Sequence, residues 1–452
     1  MKIQFLGAAG TVTGSKYLLS VDQSHFLIDC GLFQGLKEWR LKNWESLPVN
    51  PEQIQAVILT HAHLDHSGYL PVLVKNGFKG KIYTTTASKA LCEILLPDAG
   101  YLQEEDAAFA NKHHFSKHKP AFPLYTEEEA RQTIPYIESV SWDQKIPISK
   151  DCFAIFKRAG HILGASIVQL FANGRVITFS GDLGRQKTLT VEPPKKISKT
   201  DYLVVESTYG DKLHPTEDPK ETLKRFIGEA VAKKGILLIP AFAVGRAQQI
   251  LFVLSQLKKS NAIPSIPIYL NSPMAQEATR IFCQFDKEQA LTPTECKQMC
   301  EAAKFVSSVQ ESKNLNALRG PAIVIAASGM ATGGRVLHHL KFLAPNPRNM
   351  IVFAGFQAAG TRGEAMIHGA KEIKIHGEQV PVRAQVKVIN TLSAHADQEE
   401  IMTWLKGFSK PPKQTFITHG EINASNALKK RIELDLHWQC ETPQYLQEYK
   451  LN

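Results

Sequence analysis

Short apolar runs alternate with glycine-containing turns along the first two hundred residues, and this pattern predicts β-strands. The predicted strands are residues 3–6, 16–19, 25–28, 56–59, 153–156, 167–171 and 176–179. Several of them are followed closely by a side chain that can bind a metal ion, namely Asp29, His61, His161 and Asp182. Because sites in α/β proteins commonly form where strands end and loops begin, we expect these side chains to gather at one edge of the sheets.

The pattern changes between about residues 209 and 390, where an apolar strand, a glycine-rich loop and a helix follow one another three times. This order is typical of βαβ units. The three strands are residues 235–239, 322–326 and 350–354, and each is followed by a turn with an arginine beside a glycine: Arg246, Arg335 and Arg362. These guanidinium groups could line one crevice and bind phosphates; the alternative is that each packs at a helix start in contact with solvent.

The second of these loops, residues 328–335, differs from the others because it consists mostly of small residues. Small residues let backbone N–H groups approach an anion at a helix start, so we expect phosphate to bind near Ser328 and Gly329. The loop is not a Walker loop, because no Gly-Lys-Ser/Thr sequence follows.

After residue 390 the pattern of the first region returns. His395 lies in a short polar turn, and the strand-like residues 415–418 lead directly to His419. An apolar strand that delivers a histidine suggests that the chain returns to its first domain. We therefore predict one domain made from residues 1–208 and 391–452, with an inserted βαβ domain at residues 209–390.

Composition agrees with two globular domains and favours a polyanionic partner. A chain of 452 residues exceeds one ordinary core. Lys and Arg outnumber Asp and Glu by 53 to 43, and the resulting charge of +10 suits nucleic acid. Seven scattered cysteines indicate a reducing compartment, and no apolar run approaches the length of a membrane span. We therefore expect a cytoplasmic protein with no membrane partner.

Two further segments carry reactive or charged side chains. Residues 111–119 combine positive charge with an aromatic ring and could contact RNA, but a solvated lid is the favoured interpretation. Cys296 and Cys300 have no second Cys or His pair nearby in sequence, so we interpret them as buried or idle thiols and not as metal ligands.

The strongest chemical signal is the cluster His61, His63, Asp65 and His66, which places three imidazoles and a carboxylate within six residues behind an apolar run. Neutral imidazole and ionised carboxylate suit zinc, and less often manganese or iron, whereas magnesium and calcium prefer oxygen ligands. Histidine rarely clusters without a ligand or a charge partner. The first hypothesis is therefore a transition-metal hydrolase, and the alternative is a polar turn that happens to be rich in histidine.

These positions resemble the motifs of the metallo-β-lactamase superfamily and, more narrowly, those of the β-CASP nucleases, over essentially the whole chain. Four matches belong to the superfamily: Asp29 to the first motif, residues 61–66 to the second, His161 to the third and Asp182 to the fourth. Glu206, His395 and His419 match β-CASP motifs A, B and C. The resemblance, which is to prokaryotic homologues of the mRNA 3′-end cleavage subunit, implies an α/β fold: an αββα sandwich with an inserted βαβ (β-CASP) domain.

The resemblance also implies a site with two zinc ions, with manganese as an alternative metal. His61, His63 and His161 would hold one ion. Asp65, His66 and His419 would hold the other, and Asp182 would bridge the two.

Other residues would act around these ions. The resemblance makes Asp65 and Asp182 catalytic as well as metal-binding, and Asp29 a carboxylate that orients ligands. His395 would contact the scissile phosphate and protonate the leaving oxygen, with Glu206 holding its ring. On the residues alone, His395 is equally explained as a local capping residue, and Glu206 could be a local hydrogen-bond acceptor. For Asp29 a solvated strand end is the less favoured alternative.

The implied activity is hydrolysis of RNA phosphodiester bonds by a metal-bridging hydroxide, leaving a 5′-phosphate and a 3′-hydroxyl, in RNA processing or decay. We expect the RNA partner to be single-stranded. His419 favours RNA, because the DNA-acting group of the family usually has an apolar residue there. The alternatives are a DNA nuclease of the same family, a small-molecule metallo-hydrolase and an RNA-binding scaffold with an inactive site. The sequence leaves open endonuclease or exonuclease action and a homodimer.

Overall fold

The structure, a computed structural model, describes residues 1–114 and 118–452. Part of the charged segment 111–119 therefore lies outside the described residues. The chain divides into two compact units, unit 1 (Met1–Leu213 with His395–Asn452) and unit 2 (His214–Ala394). Both divisions fall a few residues beyond the boundaries expected from the sequence.

The N-terminal part of unit 1 contains short strands and one long helix. Its strands are β1 (Lys2–Phe5), β2 (Tyr17–Val21), β3 (Ser24–Ile28), β4 (Ile54–Ile58), β5 (Lys81–Thr85), β6 (Ile137–Val140), β7 (Ile146–Ser149), β8 (Cys152–Arg158), β9 (Ser166–Ala172), β10 (Arg175–Phe179) and β11 (Tyr202–Glu206). Its helices are α1 (Lys37–Leu41), α2 (Leu64–Ser67), α3 (Leu70–Lys75), α4 (Thr86–Lys112) and α5 (Glu127–Thr133).

Unit 2 alternates strands with helices. Its strands are β12 (Ile236–Pro240), β13 (Ile268–Asn271), β14 (Lys304–Phe305), β15 (Ala322–Ala326), β16 (Met350–Ala354), β17 (Glu372–Ile375), β18 (Glu378–Pro381) and β19 (Gln385–Ile389). Its helices are α6 (Pro219–Ala232), α7 (Arg246–Lys259), α8 (Pro273–Gln284), α9 (Pro293–Glu301), α10 (Val309–Leu315), α11 (Arg335–Leu343) and α12 (Arg362–Ile367). The C-terminal part of unit 1 adds α13 (Gln398–Leu405), β20 (Gln414–Thr418), α14 (Ile422–Leu436), β21 (Cys440–Glu441) and β22 (Glu448–Lys450).

Unit 1 is built on two seven-stranded sheets, ordered β22-β1-β2-β3-β4-β5-β6 and β21-β20-β11-β10-β9-β8-β7. Their inner faces share one apolar core. Phe5 of β1 contacts Phe416 of β20 with ring centroids 5.2 Å apart, and Tyr17 of β2 stacks on Phe179 of β10. Helix α4 packs on β5 and β6, and α14 on β20 and β21. The predicted αββα sandwich is thus confirmed, since helices flank two packed sheets.

Strand direction explains why polar residues separated in sequence meet in unit 1. Strands β10, β11 and β20 are adjacent and parallel, so their carboxyl ends lie at the same sheet edge. Asp182 follows β10, Glu206 ends β11 and His419 follows β20. In the other sheet β3 and β4 are also parallel, and they lead to Asp29 and His61. The expected gathering at strand ends is observed.

Unit 2 contains a six-stranded parallel sheet, ordered β14-β13-β15-β12-β16-β19, and the antiparallel hairpin β17-β18. Every residue of β12, β15 and β16 is buried, as expected for parallel strands covered by helices on both faces. These are the three strands expected from the sequence. The structure adds β13, β14 and β19, which the sequence did not predict. Strand β14 has only two residues, and β19 is a half-buried edge strand with a weak apolar pattern, so neither gives a clear signal in the sequence.

Within residues 1–114 and 118–452, no helix combines the length and the apolar character that crossing a membrane requires.

Candidate metal centre

The histidine-rich turn of unit 1 is held by its own backbone and by the loop after β3. His63 precedes α2, and its carbonyl accepts N–H groups from His66 at 2.9 Å and Ser67 at 2.8 Å. The carbonyl of Asp65 packs so closely on Gly31 that a Cβ atom there would lie 1.6 Å from the oxygen. No residue other than glycine fits position 31, so the loop after β3 fixes where the turn lies.

One group of ligand atoms consists of the side chains of His61, His63, His161 and Asp182. His63 Nδ1 lies 3.2 Å from both His61 Nε2 and His161 Nε2. Asp182 Oδ2 lies 3.4 Å from His61 Nε2 and 3.5 Å from His161 Nε2. Three imidazole nitrogens and one carboxylate oxygen thus converge, although they come from three separate parts of the chain between residues 61 and 182.

A second group lies on the other side of Asp182 and consists of Asp65, His66 and His419. His66 Nε2 is 3.1 Å from His419 Nε2, which is 3.5 Å from Asp65 Oδ2. Asp182 Oδ1 is 3.2 Å from His66 Nε2 and 3.6 Å from His419 Nδ1. The two oxygens of Asp182 therefore face different groups, as a bridging carboxylate requires.

These distances agree with tetrahedral zinc coordination. Zinc–nitrogen bonds of about 2.0–2.1 Å in a tetrahedron place neighbouring ligand atoms about 3.3 Å apart. The observed separations in the two groups run from 3.1 to 3.6 Å. The residues also have the mixed nitrogen and carboxylate character that suits zinc. The side chains present therefore fit a transition-metal ion in each group.

The first group consists of neutral imidazoles. Burial lowers the pKa of His61, lowers that of His63 to about 3 and holds that of His161 well below its usual value. Their lone pairs are therefore available at neutral pH.

Charge in the second group is distributed differently. Burial alone would lower the pKa of His66, but Asp182 and Asp29 outweigh it and raise that pKa well above its usual value. Burial likewise would raise the pKa of Asp182, but His419, His66 and His61 hold it well below the usual range. Positive charge is thus favoured between the carboxylates, which is where a metal cation would lie.

Asp29 contacts the back of the second group. It accepts hydrogen bonds from the backbone N–H of Thr60 at 2.8 Å and from His66 Nδ1 at 2.7 Å. His66 Nε2 is thereby left facing Asp182 and His419. Asp29 has φ 58° and His419 has φ 49°, left-handed conformations that non-glycine residues rarely adopt. Two residues of the site thus carry backbone strain, and the Asp29 carboxylate fixes the orientation of the His66 ring.

His395 and Glu206 form a separate pair beside the first group. His395 Nδ1 lies 3.2 Å from Glu206 Oε1 and 4.0 Å from Asp182 Oδ2. Glu206 is fixed in turn, because Oε1 accepts the N–H of Leu183 and Oε2 accepts the N–H of Thr208. Burial alone would lower the pKa of His395, but Glu206 and Asp182 raise it above its usual value. The pair thus favours the protonated form of the imidazole at the edge of the site.

Sequence reasoning missed two threonines that set the orientation of histidines. Thr60 Oγ1 donates to Asp29 Oδ2 at 3.0 Å and lies 3.1 Å from His61 Nδ1, so its lone pair can accept that ring N–H. Thr208 Oγ1 lies 3.2 Å from both the carbonyl oxygen and Nδ1 of His419 and can act in the same way. Each threonine thereby favours the tautomer with a lone pair on Nε2. Their only sequence signal is proximity to a candidate ligand or to Glu206.

Unit 2 places the predicted phosphate-binding residues around the loop at residues 328–335. Ser328 Oγ lies 2.9 Å from Thr332 Oγ1, and a Cβ atom at Gly329 would lie 2.6 Å from the Phe242 ring, so only glycine fits there. Arg246 is buried, with its guanidinium packed beside Gly355. Arg246 is the first residue of α7 and so lies at a helix start, but it is buried and not in contact with solvent as the alternative interpretation expected.

The other two arginines donate to groups of unit 2 itself. Arg335 donates to Asn271 Oδ1 at 2.8 Å and to the carbonyl of Ser307 at 2.7 Å. Arg362 donates to the carbonyl of Lys374 at 2.6 Å and to those of Ala331 and Thr332 at 3.2 Å. Both guanidinium groups therefore stabilise the loop at residues 328–335, and they would do so with or without a bound phosphate.

Profiles of three protein families match the chain. Residues 9–132 match the metallo-beta-lactamase superfamily, residues 247–366 match the Beta-Casp domain, and residues 379–443 match the Zn-dependent metallo-hydrolase RNA specificity domain. The first contains the histidine-rich turn, and the last contains His395 and His419. Together the matches agree with the resemblance expected from the motifs.

Similar proteins cover the whole chain. A ribonuclease of Thermus thermophilus (Ribonuclease TTHA0252) is 35% identical over 443 residues, with 96% of each chain covered. A transcription termination factor, FttA, of Methanosarcina mazei is 31% identical over 96% of this chain and 70% of its own length. A crystal structure of a protein of unknown function from Enterococcus faecalis covers 100% of this chain at a TM-score of 0.56 and 12% identity, which shows a shared fold alone.

Proposed function

The chain belongs to the β-CASP family of metallo-β-lactamase-fold hydrolases, and we propose that it is a zinc-dependent ribonuclease acting on single-stranded RNA. The observation that carries this proposal is the convergence of two groups of imidazoles and carboxylates on the two oxygens of Asp182. Such a site suits metal-assisted hydrolysis. The name of the similar Thermus thermophilus protein, a ribonuclease, supports RNA as the substrate.

Two zinc ions would be held by the two groups, with Asp182 as their shared ligand. His61, His63 and His161 would bind one ion. Asp65, His66 and His419 would bind the other. When bound, such a pair lowers the pKa of a shared water and neutralises charge on a phosphoryl group, which permits in-line hydrolysis at neutral pH.

The protein's own groups would orient the substrate and supply a proton. Glu206 holds His395 through Nδ1, so the opposite nitrogen, Nε2, is the one presented to a phosphate oxygen. We assign His395 the contact with the scissile phosphate and proton donation to the departing 3′-oxygen. The products would carry a 5′-phosphate and a 3′-hydroxyl.

One observation favours RNA over DNA, and a second favours a polyanionic substrate in general. The match to an RNA specificity domain spans residues 379–443, which include both His395 and His419. The net charge of +10 favours a polyanion of either kind.

Within unit 2, the backbone at Ser328 and Gly329 would contact phosphates, and Arg335 and Arg362 would hold that loop in place. We place this activity in cytoplasmic RNA processing or decay.

The decisive experiment uses one single-stranded RNA labelled separately at each end, and a DNA of the same sequence. Both are incubated with the protein as purified, after chelation, and after zinc is added back. We expect RNA cleavage that chelation abolishes and zinc restores, and an Asp182→Ala variant that is inactive. The matched control is Asp151→Ala, which removes an exposed carboxylate in the turn between β7 and β8.

The outcomes separate the alternatives. Internal RNA fragments would identify an endonuclease, and mononucleotides an exonuclease. Equal cleavage of DNA would favour the DNA-nuclease alternative. RNA cleavage that persists in chelated Asp182→Ala protein would overturn the proposal.

A further inference from the structure

Three of the seven cysteines lie together in unit 2, on two neighbouring helices. Cys283 is in the last turn of α8, and Cys296 and Cys300 are one helical turn apart in α9. The Sγ atoms of Cys283 and Cys300 are 4.0 Å apart. Both of these residues are partly exposed to solvent, whereas Cys296 is buried and accepts a contact from Gln289 Nε2 at 3.5 Å. The exposed pair and the buried neighbour therefore differ in access.

The remaining four cysteines are chemically shielded. Cys30, Cys92, Cys152 and Cys440 are all buried. Burial raises the pKa of each thiol to about 12. Because the thiolate and not the thiol is the nucleophile, none of these four is expected to react with an oxidant in the folded protein.

Cys300 is the exception among the seven. The Cys283 thiol hydrogen-bonds its sulfur and lowers the pKa of Cys300 to about 7, while the same contact raises the pKa of Cys283. A thiolate at Cys300 is therefore populated at neutral pH, with a protonated thiol directly beside it. Reactive cysteines that form disulfides have this combination of thiolate character, access and a neighbouring thiol.

We propose that Cys283 and Cys300 form an oxidation site in which a peroxide converts the pair into a reversible intramolecular disulfide. Cys300 is the attacking sulfur and Cys283 the resolving sulfur. This site lies in unit 2 and is independent of the metal ligands, which all belong to unit 1.

The reaction balances in two steps. The Cys300 thiolate attacks hydrogen peroxide: the O–O bond breaks, an S–O bond forms, and hydroxide leaves and takes up a proton to become water. The Cys283 sulfur then attacks the Cys300 sulfenic acid, so that an S–S bond forms, the S–O bond breaks and a second water leaves. The two thiols lose two electrons together, and the peroxide is reduced to two waters.

The side chains need to move only a short way. A disulfide has an S–S distance of about 2.05 Å, so the two sulfurs must approach each other by about 2 Å, which rotation about the side-chain bonds can supply. The link would join α8 to α9 across the segment between them and restrain the unfolded chain, so we expect oxidation to raise the melting temperature of unit 2.

Metal binding by the three thiols fits the geometry less well. In the described parts of the chain, they are not among the groups of three or more ligand atoms that lie within 4.8 Å of one another. A structural zinc ion takes four ligands, so it would need all three sulfurs together with a fourth ligand. The short Cys283–Cys300 separation thus favours a pair reaction.

The test treats the full-length protein with hydrogen peroxide, blocks the remaining thiols by alkylation and maps the peptides by mass spectrometry. We expect a Cys283–Cys300 cross-link that dithiothreitol removes, with the four buried cysteines still alkylatable after unfolding. In Cys283→Ser, a sulfenic acid should be trapped at Cys300 by dimedone. In Cys300→Ser, thiol loss in unit 2 should slow by about tenfold or more, because the low-pKa thiolate is absent.

Cys296→Ser is the matched control, since it removes the third thiol but leaves the pair, and it should oxidise like the unsubstituted protein. Circular dichroism of each variant before oxidation establishes that it is folded. A cross-link to Cys296, dimedone capture at Cys283 in Cys300→Ser, or unchanged thiol content after peroxide would each overturn the proposal. So would protection of all three thiols by zinc ion alone.

Discussion

Both units bring polar side chains to the ends of buried strands, but the partners of those side chains differ. In unit 1, His61 and His66 use the ring nitrogen Nδ1 for Thr60 and Asp29 and direct Nε2 inward. Those inward nitrogens lie 3.4 Å (His61) and 3.2 Å (His66) from the two oxygens of Asp182. A metal cation would contact these nitrogens and the Asp182 carboxylate together.

In unit 2, the arginines that follow the buried strands donate hydrogen bonds to other groups of the same unit. Arg335 and Arg362 donate to carbonyl and amide oxygens of neighbouring loops at 2.6–3.2 Å. Such contacts satisfy the guanidinium and stiffen the loop at residues 328–335. The comparison teaches that a polar residue at a strand end indicates where a site lies, while its partners decide whether it binds a ligand or supports a loop.

The largest effect is expected from Asp182→Ala, because both groups of unit 1 share this carboxylate. RNA cleavage should fall by about 10³-fold or more, and bound zinc, measured by native mass spectrometry, should fall as well. The fold should persist, since the substitution removes a charge that is buried at the site. Cleavage within tenfold of the unsubstituted protein would show that Asp182 is not shared, and Asp151→Ala gives the baseline for loss of an exposed carboxylate.

Metal removal should affect the two units unequally. A ligand that binds only the folded state at about 1,000 times its Kd stabilises that state by about 4 kcal/mol. After chelation, hydrogen exchange should therefore accelerate around Asp29, residues 61–66 and His419, while β12, β15 and β16 keep their protection. Equal acceleration in both units would mean that the metal stabilises more than the site, and zinc added back should restore the original pattern.

A smaller loss is expected for Glu206→Gln. The amide has one acceptor oxygen where the carboxylate has two, and the N–H groups of Leu183 and Thr208 already use both. His395 should then lose its fixed orientation and its charge partner. We expect kcat to fall by about 10²-fold with KM nearly unchanged. The pH above which activity is lost, which reports deprotonation of His395, should shift to lower pH because the charge partner is gone. A matched control is Glu138→Gln, an exposed carboxylate on β6; a KM effect alone would argue that Glu206 acts in binding.

How far the sequence predicted this structure depends on whether the signal was local. The family, the sandwich and the βαβ strands could be predicted, because apolar runs and the His-rich turn are contiguous. The two-residue β14 could not, since a strand that short has no period. Thr60 and Thr208 were missed because a threonine at a strand end is ordinary, and its role depends on a histidine placed by the fold.

Long-range partners explain the other gap. Nothing beside Arg335 in sequence reveals that its guanidinium contacts Asn271 and Ser307, which lie tens of residues earlier. Gly31 is similar, because its need for glycine arises from the carbonyl of Asp65. The geometry of the two groups makes the metal-ligand predictions specific.

The smallest effect distinguishes a supporting arginine from a phosphate-binding one in unit 2. Arg362 donates through Nε to Lys374 and through one terminal nitrogen to Ala331 and Thr332, a fork that a lysine ammonium cannot reproduce. If Arg362 supports the loop, Arg362→Lys and Arg362→Ala should weaken RNA binding alike, by about tenfold, because each loses roughly 1–1.5 kcal/mol of hydrogen bonding. If Arg362 instead neutralises a phosphate, the lysine variant should retain most of the affinity, and only the alanine variant should lower the salt dependence of binding by about one ion. Affinities measured at several salt concentrations for the two variants therefore decide whether unit 2 contacts RNA through this side chain or through the loop that it holds.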